Sequence, residues 1–259
     1  MLGIERRQNI MEQLQQEGKV HVPELSRRYK VTEETIRRDL EKLEKEGRLR
    51  RSYGGAVLED RTSEDLSFLK RSSINSDLKD IIGRRGAALV QDGDTIMMDS
   101  STTGLALLRN LLGRSSLTVI TNSIRLAYDF ANSPFHIIST GGNLRANSCA
   151  LTGSNSCASL QRYHVDFAII SCKGIDMERG VMESNEDESI VKQHMIAQAK
   201  KSILLVDHTK FGRIAFTTTC DFSRISTLVT DREPNREWMD FLESQQVKVM
   251  AGSPPESEQ

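Results

Sequence analysis

Two periodicities divide the chain. Near the N-terminus, apolar residues recur at helical spacing in three bursts: Ile4, Ile10, Met11 and Leu14, closed by Gly18; Leu25 and Tyr29, behind Pro23; then Ile36, Leu40 and Leu43. The spacing predicts a helix from about Ile4 to Glu17, a shorter one that breaks at Lys30 and Val31, and a third with the best-marked start in the sequence. Thr32 supplies an N-cap oxygen, Glu33 and Glu34 face the positive end of the helix dipole, and Val31 can staple onto Ile36. After Gly47 the run RLRRSYGGAVL forms two extended stretches around Gly54-Gly55 and predicts a hairpin.

Farther along, short apolar runs each end in a cluster of Gly, Ser, Thr, Asn or Asp, often followed by a helix. Residues 95–98 lead into DSSTTG and a helix over 105–112, and 117–120 into TNS and a helix over 124–131. Residues 135–139 lead into TGGNLR, 165–170 into SCKGID and 203–206 into DHTKFGR. Alternating strands and helices predict an α/β domain on a parallel sheet, with the polar clusters gathered at the carboxyl edge where such sheets bind ligands.

Between the two patterns the chain is polar and irregular, with Leu66, Phe68 and Leu69 as anchors. A helix then starts near Ser76 and runs through Leu78, Ile81, Ile82 and Leu89 to Asp92-Gly93, weakened by Gly83 and Gly86. The expected division is 1–58 for a winged helix-turn-helix, with the helix-turn-helix at about 20–39 and the wing at about 48–58. A linker over 59–75, a larger domain over 76–250 and a disordered tail over 251–259 follow.

Charge changes this picture only locally. The formal net charge of −1 demands no polyanionic partner, yet Arg27, Arg28, Lys30, Arg37 and Arg38 crowd one stretch, and Arg48, Arg50 and Arg51 follow. The apolar face of the third helix leaves Thr35, Arg37, Arg38 and Glu41 pointing elsewhere. A short helix, turn, helix spacing lets that helix enter a major groove, where Arg37 or Arg38 forks onto guanine or clamps phosphate. Exposed arginines on one helix are ordinarily a solvated face. Three closely spaced helices, a well-capped third and a basic Gly-Gly hairpin together point to double-stranded DNA. The candidate DNA-contacting residues are Thr32, Glu33, Thr35, Arg37, Arg38, Arg48, Arg50, Arg51 and Tyr53.

The start of the chain lacks the apolar core of a secretory signal, and no apolar run is long enough to span a bilayer, which predicts a soluble cytoplasmic protein. Cys149, Cys157, Cys172 and Cys220 form no C-x-x-C pair or Cys/His cluster, so neither metal nor disulfide framework is expected, and no cofactor.

In the second half, DSSTTG leaves a strand and opens a helix, so that backbone amides, the helix dipole and hydroxyls converge where an anion sits; phosphate is the natural guest. Candidate ligand-binding residues there are Asp99, Ser100, Ser101, Thr102 and Thr103. Thr121, Asn122 and Ser123 stand at the next cluster, and Gly141 and Gly142 allow close backbone approach. Arg145, Lys173, Lys192 and Lys210 are available cations, and Asn122, Asp176, Glu188 and Asp207 suit sugar hydroxyls. Taken singly, a Ser or Thr before a helix is a cap and a loop lysine is solvated.

The run VPELSRRYKVTEETIRRDLEKLEKEGRLRRSYGGAVL resembles the DNA-binding region of the DeoR family of bacterial repressors, with its TIRRDL recognition helix and GGA wing. D-S-S-T-T, T-N-S, T-G-G-x-L-R, G-I-D, the E-S-x-x-K ending at Lys192 and D-H-T-K-F-G-R are similar to the DeoR-type effector domain, itself related to ribose-5-phosphate isomerase. The likeness covers nearly everything from Glu5 to Val249. It implies a repressor of a carbohydrate-metabolism operon, released from its operator by a phosphorylated sugar or polyol. Lys173, in SCK before GID, is either an extra phosphate contact or a solvated lysine, and the acidic 186–188 run either tunes hydroxyl recognition or lies outside the pocket.

Two rival readings stand beside this one. In a sugar-phosphate isomerase, Asp176, Glu188 and Lys173 would share proton transfer and enediolate stabilisation, but such an enzyme has no need of a basic winged helix. Alternatively the second domain only oligomerises the first. Association into a homodimer or larger assembly is expected either way, because paired half-sites call for paired recognition helices.

Overall fold

The computed structural model describes residues 3–46, 49–58, 62, 63 and 65–252. The chain divides into two compact units, Met1–Arg61 and Thr62–Gln259.

In the smaller unit, helix α1 (Gly3–Glu17) ends at Gly18 and leads into strand β1 (Lys19–His21), helix α2 (Val22–Tyr29), helix α3 (Glu33–Lys45) and strands β2 (Leu49–Ser52) and β3 (Gly55–Leu58). Ile10, Leu14, Leu25, Ile36, Leu40, Leu43 and Leu49 close its core. The turn between α2 and α3 is made by Lys30 in the left-handed region (φ 52°), and Thr32 caps α3 by accepting from the Thr35 amide. The wing has a third strand that the sequence pattern does not reveal: antiparallel β1 pairs with β3, giving the order β1-β3-β2. The two wing glycines answer different needs. Gly54 turns the chain at φ +82°, whereas a Cβ on Gly55 would fall 2.0 Å from Val20 O.

The larger unit opens with helices α4 (Phe68–Ser73) and α5 (Ser76–Ala87), then β4 (Thr95–Met98), α6 (Thr102–Arg109), β5 (Thr118–Thr121), α7 (Ile124–Asp129) and β6 (His136–Ser139). A hairpin of β7 (Asn143–Arg145) and β8 (Ala150–Thr152), helix α8 (Ser154–Leu160) and strands β9 (Val165–Ser171), β10 (Gly174–Asp176) and β11 (Gly180–Glu183) follow. Helix α9 (Glu186–Ala197), strands β12 (Ala199–Leu205), β13 (Thr217–Cys220) and β14 (Thr227–Thr230), helix α10 (Arg236–Ser244) and strand β15 (Lys248–Ala251) complete it.

Seven strands, in the order β15-β14-β12-β9-β4-β5-β6, form an all-parallel sheet. The chain builds outward from β4 through β6 and then returns to lay β9 on the other side of β4, so the strand order reverses between β4 and β9. Ligands of open parallel sheets bind at such a reversal. Apolar layers cover both faces of the sheet, one around Ile96, Leu107 and Leu205 and the other around Met97, Ile170 and Leu204. A small antiparallel sheet, β10-β11-β13, stands beside the main one.

Three expectations need correction. Residues 59–75 are not all linker: α4 lies within them, capped by Ser67, and Phe68 is buried in the core of the larger unit while Leu69 is exposed. Helix α5 stops at Ala87, and the chain to Gly93 runs through tight turns. Gly83 and Gly86, read as weakening that helix, instead let it pack: a Cβ on Gly83 would lie 2.8 Å from the Ala106 backbone of α6. The third concerns the tail, since Ala251 ends β15; residues 253–259 and Arg48 lie outside the described residues.

Candidate functional site

On the smaller unit, α3 buries Ile36, Leu40 and Leu43 and turns Arg37 and Arg38 outward. Each arginine has an acidic partner one turn earlier: Arg37 Nη2 donates to Glu33 at 2.6 Å, and Arg38 Nε lies 3.4 Å from Glu34. Thr32 and Thr35 hydroxyls meet at 2.9 Å over the first turn. On the wing, Arg51 is held by Glu44 of α3 at 2.6 Å, Arg50 is exposed and Tyr53 stands free at the tip. Asp39, the fifth residue of TIRRD, has a role the sequence reading missed. It is buried and accepts from Arg6 Nε at 2.6 Å and Arg7 Nη1 at 3.3 Å, fixing α3 against α1. This pairing, 33 residues apart in sequence, leaves no periodic trace.

On the larger unit, the candidate residues fall at or beside the carboxyl ends of the strands, but many of their polar atoms are used in building the turns. Ser101 caps α6 by accepting from the Gly104 amide at 2.9 Å, and Ser123 caps α7 by accepting from the Leu126 amide. Thr121 Oγ1 donates to Met98 O and accepts from the Ser123 amide, stitching β5 to β4. The Asn122 amide donates to Leu151 O, while its buried Oδ1 has no partner among the described residues. Thr102 and Thr103 open α6 and are largely buried. Gly141 and Gly142 both take positive φ, and a Cβ on Gly142 would lie 2.5 Å from Thr152 O.

At the reversal point, Asp99 accepts from the Ser101 amide at 3.0 Å and, across the β4/β9 gap, from the Ser171 amide at 2.9 Å. Lys192 is buried on α9. Its ammonium donates to Ser171 O at 2.7 Å and to Glu183, and lies 3.0 Å from Asp99 Oδ2. The ammonium thus donates to two acceptors and pairs with a second carboxylate. Desolvation pulls the Lys192 pKa down, but the carboxylates of Glu183, Asp99 and Glu188 together hold it up, whereas desolvation pushes that of Glu183 up. Lys192 therefore positions Asp99 and closes the sheet, contrary to its expected place as a free phosphate-binding cation.

Arg145, at the end of β7, donates to Glu188 Oε1 at 2.8 Å, and Glu188 Oε2 accepts from Ser100 at 3.3 Å, joining three candidates from three elements. Its second carboxylate partner is Asp65, which the sequence reading did not single out. Glu188 alone of the acidic run is turned inward; Glu186 and Asp187 are exposed. Asp207 accepts from the Thr209 amide and hydroxyl at the start of the short turn that carries Lys210. Next to it His208 Nδ1 lies 2.7 Å from Asp231 Oδ2, a second pair missed from sequence.

A further missed group is Lys79 of α5. It is buried, its ammonium donates to the carbonyls of Arg71 and, at 2.6 Å, Ile74, and it feels the charges of Lys210 and Asp207. Burial, then repulsion from Lys210, lowers its pKa to about 8. Arg71, nearby, has buried Nε and Nη2 atoms without partners among the described residues. Asp176 behaves differently from expectation: its carboxylate accepts from the amides of Glu178 and Arg179 and from the Arg179 side chain, closing the β10/β11 turn. Lys173 is half-buried, and its amide donates to Met182 O.

Comparison with known proteins follows the same division. The DeoR-like helix-turn-helix domain matches residues 6–62, and the DeoR C terminal sensor domain matches residues 74–232. The uncharacterized HTH-type transcriptional regulator YulB of Bacillus subtilis is 39% identical over 97% of both chains. The glycerol-3-phosphate regulon repressor of Escherichia coli is 30% identical over 96% of this chain and 99% of its own. Ribose 5-phosphate isomerase A from Methanocaldococcus jannaschii aligns at 17% identity over 53% of this chain and 55% of that one, with a TM-score of 0.41, which speaks to neither chemistry nor ligand. No helix among the described residues is long and apolar enough to cross a membrane. A DNA-reading winged helix followed by a parallel-sheet sensor domain, matched along almost its whole length, places this chain in the DeoR family of DNA-binding transcriptional regulators.

Proposed function

We propose that the protein represses a carbohydrate operon from the cytoplasm as a homodimer or larger assembly, and leaves its operator when a phosphorylated sugar or polyol binds at the carboxyl edge of the parallel sheet. The observation that carries this reading is a buried cation, Lys79, beside Lys210 on the edge that also bears the N-terminus of α6 with Thr102 and Thr103. Positive groups and helix amides of this kind favour a dianionic phosphate. The unpartnered Asn122 Oδ1 suits a sugar hydroxyl donor. The name of the Escherichia coli relative, a glycerol-3-phosphate regulon repressor, agrees with a phosphorylated polyol as effector.

Binding without turnover is favoured because the carboxylates are already engaged. Asp99 is held by Lys192 and two amides, Glu188 by Arg145 and Ser100, and Asp176 by its own turn. An isomerase needs a carboxylate ready to accept a proton from carbon. The test is a thermal-shift screen with ribose 5-phosphate, glucose 6-phosphate and glycerol 3-phosphate, alongside an assay for isomerised product. One compound raising Tm and weakening operator binding, with no product formed, is expected. Sustained isomerisation, or operator affinity indifferent to all three, overturns the proposal.

A further inference from the structure

A few residues after wing strand β3, inside the larger unit, Asp65 is fixed by hydrogen bonds to residues some 80 positions farther along the chain. Its Oδ2 accepts from Arg145 Nη1 at 2.5 Å and from Asn147 Nδ2 at 2.9 Å, and its carbonyl accepts from the same Asn147 amide at 2.7 Å. The Phe68 amide then donates to Asn147 O at 2.7 Å, just where α4 begins. The stretch that follows the DNA-binding unit is thereby fastened to the β7/β8 loop.

The same Arg145 nitrogen serves Glu188 at 2.8 Å, so one guanidinium stands between two carboxylates and balances the charge of only one. The two are not held alike. The Glu188 side chain is 8% exposed and also bonds Ser100, inside the candidate effector site. Asp65 is 17% exposed and belongs to the entering strap. An incoming phosphate offers up to two charges and several acceptor oxygens to the same planar fork, for which a single carboxylate is the weaker competitor.

We infer that Asp65 is a latch: it holds Arg145 until the effector's phosphate takes that guanidinium, and the strap formed by residues 65–67 then comes away from the β7/β8 loop while α4 stays docked through Phe68. The strap is covalently continuous with the winged helix, so its release is a direct route from ligand to DNA-binding unit. Because effector and Asp65 compete for one group, ligand affinity and strap attachment are linked reciprocally. The inference rests on the phosphosugar reading of the sheet edge.

The experiment uses the full chain as wild type, Asp65→Asn and Asp65→Glu, titrated calorimetrically with ribose 5-phosphate, glucose 6-phosphate and glycerol 3-phosphate, with hydrogen exchange followed at amides 66–68. In wild type the compound that binds should accelerate exchange there. Asp65→Asn should exchange fast without it and bind it about fivefold tighter, the size expected for a partly exposed ion pair, and Asp65→Glu should return affinity toward wild type. Equal affinity in Asp65→Asn and wild type, or unchanged exchange at saturation, overturns the latch while leaving the sensor reading standing. If none of the three compounds binds either protein, the sensor reading falls and the latch with it.

Discussion

Lys192 Nζ lies 3.0 Å from Asp99 Oδ2, and through its further bonds to Ser171 O and Glu183 a single ammonium joins the carboxyl ends of β4, β9 and β11. Removing one partner of a buried ion pair leaves an uncompensated charge and costs about 3–5 kcal/mol. Lys192→Met should therefore destabilise the larger unit by about that amount, and adding Glu183→Gln should recover part of it. Urea unfolding followed through Trp238, the one tryptophan and buried among Phe211, Phe222 and Phe241, measures this directly. A midpoint unchanged in Lys192→Met would contradict the assignment.

Lys79 gives a pH signature. Its folded pKa is lowered to about 8 by burial and then by Lys210, against about 10.4 for an unfolded lysine. Between those values the unfolded chain binds the proton and the folded chain does not, so this group makes stability rise with pH from about 8 to about 10.4. Lys79→Met should abolish that contribution in denaturation curves taken at the two ends of the window. A phosphate bound beside Lys79 should raise its pKa, so wild-type binding near pH 8 should take up a proton, visible as a dependence of binding heat on buffer ionisation.

At the opposite edge of the sheet, Asp166 is lowered to about 2, first by Lys200 at 2.8 Å and then by the amide and hydroxyl of Thr95. A depressed carboxylate contributes stability above its unfolded pKa of about 3.9 and loses it as pH falls toward 2. Solvent screening limits the effect. Asp166→Asn should cost about 1 kcal/mol at pH 6, with the gap to wild type closing steadily between pH 4 and pH 2.

On the outward face of α3, Arg37 and Arg38 are paired with Glu33 and Glu34, partners they would exchange for DNA on binding. Arg37→Ala or Arg38→Ala should weaken operator binding by about 1–3 kcal/mol if the side chain reads a base, with effector affinity and Tm unchanged. Gel-shift titration of a selected promoter fragment at two salt concentrations separates base reading from phosphate contact, since only loss of a phosphate contact flattens the salt dependence.

What was legible in the sequence was what is written locally. Thr32, the acidic first turn and the Ile36, Leu40, Leu43 face specify α3 within a dozen residues, and five of the seven parallel strands, β4, β5, β6, β9 and β12, announced themselves as apolar runs ending in a polar turn, whereas β14 and β15 did not. What stayed hidden depends on distant partners. Strand β1 is three residues long and is defined by its pairing with β3. Asp39 matters through Arg6, Asp65 through Arg145, and Lys79 through a loop far along the chain. Lys192 was visible as a cation near the site, but nothing in E-S-x-x-K says that three acceptors surround it. Ser101 and Ser123 were legible in both roles, and the structure uses their oxygens as caps.

The reversal of strand order between β4 and β9 also governs how this receptor can be dissected. The groups proposed to receive the phosphate are supplied before the first strand of the sheet, as Lys79 is, and after its fifth, as Lys210 is. Recognition is thus a property of the finished sheet. Fragments ending before β12 should retain no partial affinity, and during synthesis the nascent chain acquires its sensitivity to metabolite all at once, late, when the last strands dock.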